Sequence, residues 1–219
     1  MKSFYEIGLS QPDKTDKVSH HRYDRFYPLF LESLRDQEFN MLEIGVGSGG
    51  SLRLWEEYFP KSSIYGADID YSSFEEFSER FTLYTLDQNN RDQLKEIANT
   101  LPKCKFIIDD GSHHPNHQFT TFIELFKNLL EPGGVYIIED IECNYWQNPD
   151  STIYGYEIGY FNILSYFKNT LDQINTEFSD KKNYLNISTV TFAHNCIIIT
   201  KQTPEETEIS NRPYRFKQC

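Results

Sequence analysis

Short apolar runs, each followed by polar or glycine-rich residues, recur along the chain at 40–45, 63–69, 81–86, 104–109 and 134–139. Each run is apolar through its centre and does not alternate, which predicts strands covered on both faces. Between them the apolar spacing lengthens to three and four residues, predicting helices over 51–59 and 92–100. In 116–130, Phe119, Phe122, Ile123, Phe126 and Leu130 share one helical face, and the segment stops at Glu131-Pro132-Gly133-Gly134. Ahead of the first strand, 23–35 predicts an amphipathic helix with Phe26, Phe30, Leu31 and Leu34 inward. Near the far end, the apolar runs 187–193 and 196–201 are joined only by His194-Asn195, a hairpin connection.

Alternating strands and helices dictate a parallel sheet with right-handed crossovers and helices on both faces. The hairpin makes the last strand antiparallel to its neighbour. The predicted fold class is α/β, and the predicted organisation is a single domain over 1–219, divided into an N-terminal cap (1–38), a core (39–201) and a tail (202–219). The tail, with Pro204-Glu205-Glu206 and Pro213, carries no assigned chemistry. Residues 140–156, rich in Tyr, Asn and Gly, form a long connection of the kind that is either functional or poorly ordered.

At 219 residues the chain buries enough surface to fold without a disulfide or metal staple. Its four cysteines, Cys104, Cys143, Cys196 and Cys219, are scattered and form no CxxC pair, which predicts idle thiols in a reducing compartment. There is no signal-peptide pattern and no long uncharged apolar run, so a cytoplasmic protein with no membrane partner is expected. Charge changes the picture more: 21 Lys and Arg against 33 Asp and Glu give a net charge of −12. A surface of that sign lacks the broad basic footprint that nucleic acid or anionic lipid requires.

The first predicted strand runs directly into Glu43-Ile44-Gly45-Val46-Gly47-Ser48-Gly49-Gly50. Glycines at a strand-to-helix turn let the backbone approach a ligand while the helix presents free N–H groups. The second strand ends at Gly66-Ala67-Asp68-Ile69-Asp70, and an acid there accepts hydrogen bonds from ribose hydroxyls. The same residues also fit a tight structural turn with a capping acid. A Walker lysine is missing, and Glu43 suits a cationic ligand better than a phosphate.

Glu43, Gly45, Gly47, Gly49 and Asp68 together resemble the class I S-adenosylmethionine (SAM) methyltransferases, Rossmann-like proteins with a seven-stranded, mostly parallel sheet whose last strand is antiparallel. The resemblance implies that the glycine turn borders the amino-acid part of SAM and that Asp68 holds the ribose. It places Asp87 and Gln88 near the adenine and adds Asp109 at the end of the fourth strand to the cofactor side.

A second constellation lies at the ends of the fourth strand, Asp109-Asp110-Gly111-Ser112-His113-His114, and of the fifth, Glu139-Asp140. Adjacent parallel strands bring their carboxyl ends to one edge, so Asp110, Glu139 and Asp140 converge there. Clustered carboxylates need a cation, shared protons or separation, and oxygen ligands suit a hard ion such as Mg²⁺. Helix or loop capping is the alternative use for such acids. His114 and His117 read as helix-start or surface residues.

These residues narrow the resemblance to the Mg²⁺-dependent sugar O-methyltransferases of antibiotic and polysaccharide pathways. It extends over Thr15-Asp16-Lys17, His20 and Tyr23, the block 109–113, the stretch from Ile137 through Tyr145-Trp146 and the hairpin 191–195. It implies Asp110, Glu139 and Asp140 as metal ligands and His113 as the base that takes a sugar-hydroxyl proton. The expected partner is a small-molecule or glycan acceptor, with no nucleic acid, and a homo-oligomer is an open option. Lys17, His20 and Tyr23 either fold over the ligands or belong to an ordinary capped helix. Tyr145 and Trp146 either stack on a sugar ring or pack inward. A catechol or phenol O-methyltransferase and a non-catalytic SAM-binding scaffold are the alternatives.

Overall fold

Seven strands line up in the order β3-β2-β1-β4-β5-β9-β8. They are β1 (Asn40–Ile44), β2 (Ser63–Asp68), β3 (Phe81–Thr85), β4 (Cys104–Asp109), β5 (Leu130–Glu139), β8 (Ile187–Ala193) and β9 (Cys196–Lys201), while β6 (Thr152–Ile153) and β7 (Tyr156–Glu157) pair separately. This computed structural model describes residues 1–11, 15–74, 78–146, 148 and 150–211. Strands β3 to β5 are mutually parallel, and β9 runs antiparallel to both β5 and β8. The α/β fold with an antiparallel last strand is therefore as expected. The order reverses between β1 and β4, which opens a crevice beyond their carboxyl ends.

The helices are α1 (Phe4–Ser10), α2 (Asp16–Ser19), α3 (Pro28–Leu31), α4 (Gly50–Tyr58), α5 (Arg91–Thr100), α6 (Pro115–Asn128), α7 (Ile163–Lys168), α8 (Leu171–Ile174) and α9 (Pro204–Ser210). Two apolar layers sandwich the sheet. Alternate residues of each central strand feed opposite layers, so Phe106 and Ile108 of β4 join Trp55 and Phe59, while Ile107 joins Phe122 and Phe126 of α6. That division explains the unbroken apolar runs: both faces are covered.

Residues 23–35 do not form the single helix predicted. A 3₁₀ turn (Tyr23–Arg25), α3 and a second 3₁₀ turn (Glu32–Leu34) replace it. Pro28 has no N–H to bond back into a preceding turn, so a helix begins at it and does not run through it. The inward face changes accordingly: Tyr23 and Tyr27 are fully buried with Leu31 and Leu34, and Phe26 and Phe30 are only half-buried. Among the described residues, the connection after β5 contains a 3₁₀ turn (Ile141–Tyr145) and the β6–β7 hairpin. The tail begins with α9, started by a Thr203–Glu206 capping box; Pro213 and Cys219 lie outside the described residues. Cys104, Cys143 and Cys196 are free and buried. No helix among the described residues is long and apolar enough to cross a membrane.

Candidate functional site

The turn after β1 is built from left-handed backbone. Gly45 has φ +85°, and a Cβ there would lie 2.1 Å from the Asp110 carbonyl oxygen, so only glycine lets the β1 and β4 ends approach this closely. Gly47 (φ +51°) and Gly49 (φ +88°) continue the turn into α4, with open space in front of Gly47. Asp68 fastens it from below: its Oδ2 accepts the N–H groups of Val46 at 2.7 Å and Gly47 at 3.0 Å. The expected ribose acid is thus first a clamp on the glycine turn, although it also faces the crevice.

The crevice is a cavity of about 690 Å³. The glycine turn and Asp68 form one wall and Asp110 to His113 another, with Asp87 and Gln88 between them and Tyr154 and Tyr156 at its edge. Three residues predicted to meet a cofactor have other work. Asp109 is fully buried beneath the cavity, where burial pushes its carboxyl up to about 7. Gln88 spends both ends of its amide internally, donating to Asp109 Oδ1 at 2.7 Å and accepting from Ser112 N at 2.9 Å. Glu43 is also fully buried and pushed up to about 7 by burial; its Oε2 accepts from Ser51 Oγ at 2.9 Å.

At the Asp110–His113 wall, one ligand atom each from Asp110, His113 and Asp140 lie within 4.8 Å of one another. His113 Nε2 is 3.8 Å from Asp140 Oδ2. Both residues have left-handed backbone, φ +57° for His113 and +51° for Asp140, a conformation that costs energy in a residue with a side chain. Asp140 is held by neutral donors: Tyr23 Oη and Asn195 Nδ2 each donate to its Oδ1 at 2.9 Å.

Glu139 stands behind this group. Its Oε2 accepts from Lys17 Nζ at 2.8 Å and its Oε1 from Tyr27 Oη at 2.5 Å. Lys17 Nζ also donates to Asp110 Oδ2 at 2.6 Å and lies 3.4 Å from Glu43 Oε1. The lysine side chain is fully buried; burial opposes its charge, but Asp110, Glu139 and Glu43 hold its pKa well above the usual lysine range. Helix α2 delivers it: the Thr15 hydroxyl caps the helix, and Val18 packs so tightly on Gly8 of α1 that a Cβ there would meet it at 2.4 Å.

Of the residues expected to meet the acceptor, Tyr23 is buried on Asp140 and so supports the acid group from behind. His20 is exposed on the outer side, and its neighbour His21 turns inward, with Nε2 3.5 Å from Asp140 Oδ1 and its ring stacked 5.1 Å from Tyr23. Tyr145 and Trp146 are exposed, 67% and 45%, which excludes inward packing. His114 caps α6 as expected of a helix-start residue, yet both it and His117 are buried, their rings stacked at 4.2 Å. Tyr27, His21 and Gln118, whose amide donates to the Glu139 carbonyl at 2.8 Å, are additions that the sequence did not single out.

Two carboxylates and an imidazole gathered this closely match the donor set of a divalent cation, and their oxygen-rich character suits Mg²⁺. His113 Nδ1 is buried without a hydrogen-bond partner among the described residues, while its Nε2 is the nitrogen beside Asp140.

No family model matches the chain. It is 40% identical over 156 residues to the mycinamicin VI 2''-O-methyltransferase of Micromonospora griseorubida, covering 64% of this chain and 38% of that protein. It is 37% identical over 147 residues to the 8-demethyl-8-alpha-L-rhamnosyl tetracenomycin-C 2'-O-methyltransferase of Streptomyces olivaceus, with the same two coverages, 64% and 38%. The structure of the MycE methyltransferase of the mycinamycin pathway, in complex with Mg, SAH and mycinamycin VI, superposes with a TM-score of 0.78 at 30% identity, over 92% of this chain and 54% of that one. The chain thus spans well under half the length of these curated relatives and about half of the solved one.

Proposed function

Because this chain has the class I methyltransferase fold and its homologues are sugar O-methyltransferases of macrolide and tetracenomycin pathways, we propose that it transfers a methyl group from SAM to a sugar hydroxyl of a glycosylated small molecule, with the help of a divalent cation. One observation carries the reading: the glycine turn faces Asp110 and His113 across a single cavity, and Asp140 completes the acid group behind that second wall. A binding scaffold would need the first wall and not the second.

The turn at Gly45, Gly47 and Gly49, with Asp68 and Asp87, would line the nucleoside side, and Asp110 and Asp140 would hold the ion. When bound, SAM supplies an electrophilic methyl on a sulfonium, and the cation lowers the cost of ionising an acceptor hydroxyl. His113 takes the hydroxyl proton at Nε2, and Asp140 beside it stabilises the imidazolium that results. Tyr23 and Asn195 keep Asp140 oriented for both tasks. The cavity walls align donor and acceptor and exclude water. Exposed Tyr145 and Trp146 offer apolar faces to a sugar or its aglycone near the site.

Labelled methyl transfer from SAM to a panel of macrolide glycosides, rhamnosides and nucleotide sugars, with a catechol as control, tests the reading. Transfer to a glycoside that stops on chelation and returns with Mg²⁺ is expected. Transfer to the catechol alone, or transfer indifferent to chelation, overturns it.

A further inference from the structure

We propose that Lys17 is a resident counter-cation, which holds Asp110, Glu139 and Glu43 together at the carboxyl edge of the sheet before any metal ion arrives. The three acids come from the ends of three neighbouring strands, β1, β4 and β5. One fully buried ammonium meets all three, at 2.6 Å, 2.8 Å and 3.4 Å. Buried carboxylates this close repel unless a positive charge lies among them, and Lys17 is the only cationic side chain of the described residues that the ion pairs place there. The contacts are also directional. Lys17 takes one oxygen of Glu139 and Tyr27 the other, while the ligand atoms of Asp110, His113 and Asp140 gather within 4.8 Å of one another, with Asp110 and His113 on the cavity wall.

Two consequences follow. The acid edge has its shape without metal, because a positive charge already lies among its inner acids and offsets part of their repulsion. The negative charge left over, on the side of Asp140, is what a dication would meet, so Lys17 sets the charge of the site as well as its geometry. This second consequence rests on the metal reading of the proposed function; the first does not.

The test compares thermal unfolding of the parent chain, Lys17→Met, Glu139→Gln and the double variant, each in chelator and then in Mg²⁺. Removing one partner of a buried pair leaves an uncompensated charge, so Lys17→Met is expected to lower the melting temperature in chelator by roughly 10 °C. Glu139→Gln in the same chain removes one stranded charge and is expected to restore part of the loss. A double variant no more stable than Lys17→Met, including one that fails to fold, overturns the proposal and reduces Lys17 to packing. Mg²⁺ is expected to raise the melting temperature of Lys17→Met more than that of the parent. If Mg²⁺ moves no variant while the double variant still recovers, the metal reading fails and the role of Lys17 stands.

Discussion

The phenol of Tyr23 donates to Asp140 Oδ1 at 2.9 Å, a hydrogen bond across 117 residues of sequence that ties the N-terminal segment to the end of β5. Tyr23 is fully buried and its ring stacks on Tyr27, which serves Glu139 in the same way. Tyr23→Phe keeps the ring and removes one donor from the acid that would bind the ion. Supporting hydrogen bonds of this type are worth about tenfold or more in metal affinity. Weaker Mn²⁺ binding by about tenfold, read by electron paramagnetic resonance, is therefore expected with little change in circular dichroism.

Replacing His113 separates chemistry from architecture. The ring accepts no hydrogen bond that holds an element in place, so His113→Gln is expected to fold with near-parent stability. A lost general base costs about 10²–10⁴ in rate. Single-turnover methyl transfer at saturating acceptor measures it, and near-parent turnover would remove His113 from the mechanism.

The glycine turn gives a graded pair of variants. At Gly45 a methyl group would enter the Asp110 carbonyl, which a positive φ makes no easier to relieve. At Gly47 the same methyl meets open space, so only the backbone conformation is penalised, by about 1–2 kcal/mol. Chemical denaturation of Gly45→Ala is expected to show a loss several-fold larger than that of Gly47→Ala.

Acid stability has a specific contributor in His117. Burial, followed by the neighbouring His114, lowers its pKa to about 4 in the fold, against about 6.5 in the unfolded chain. Between these values the unfolded chain binds the extra proton. The contribution is complete above about pH 6.5 and is lost as pH falls towards 4. His117→Asn is expected to flatten the melting temperature against pH over that window relative to the parent; an unchanged slope would place the acid sensitivity elsewhere.

Much of this was legible because strand ends are legible. The apolar runs stop at or within one residue of Asp68, Asp109 and Glu139, where the strands end, and parallel pairing then carries those ends to one edge. Short helices give no such marker. Helix α2 has four residues, too few for a periodic face, so nothing in the pattern said that Lys17 points inward or that His21 and not His20 faces Asp140. Tyr23 and Tyr27 were obscured by Phe26 and Phe30, whose stronger hydrophobicity suggested the wrong face. The tyrosines win because their hydroxyls have buried acids to satisfy. Gln88 shows a further limit: an amide that bridges β4 to the turn after it is a tertiary fact, invisible beside its sequence neighbours.

The hydrogen bonds of Tyr23 and Asn195 have a consequence for the order of events during synthesis. Tyr23 Oη also reaches the Asn195 carbonyl at 3.2 Å, across 172 residues, and both meet on Asp140. The nascent chain can pair β1 to β5, pack their helices and bring Tyr23 to Asp140, but Asp140 finds its second partner, Asn195, only when the β8–β9 turn has left the ribosome. Such distant closures come late, because their loop entropy is offset only once the intervening structure exists. Full fastening of Asp140 is therefore a checkpoint on completion of the sheet: a chain truncated before the β8–β9 turn retains the glycine turn and the Tyr23 hydrogen bond but lacks the Asn195 one.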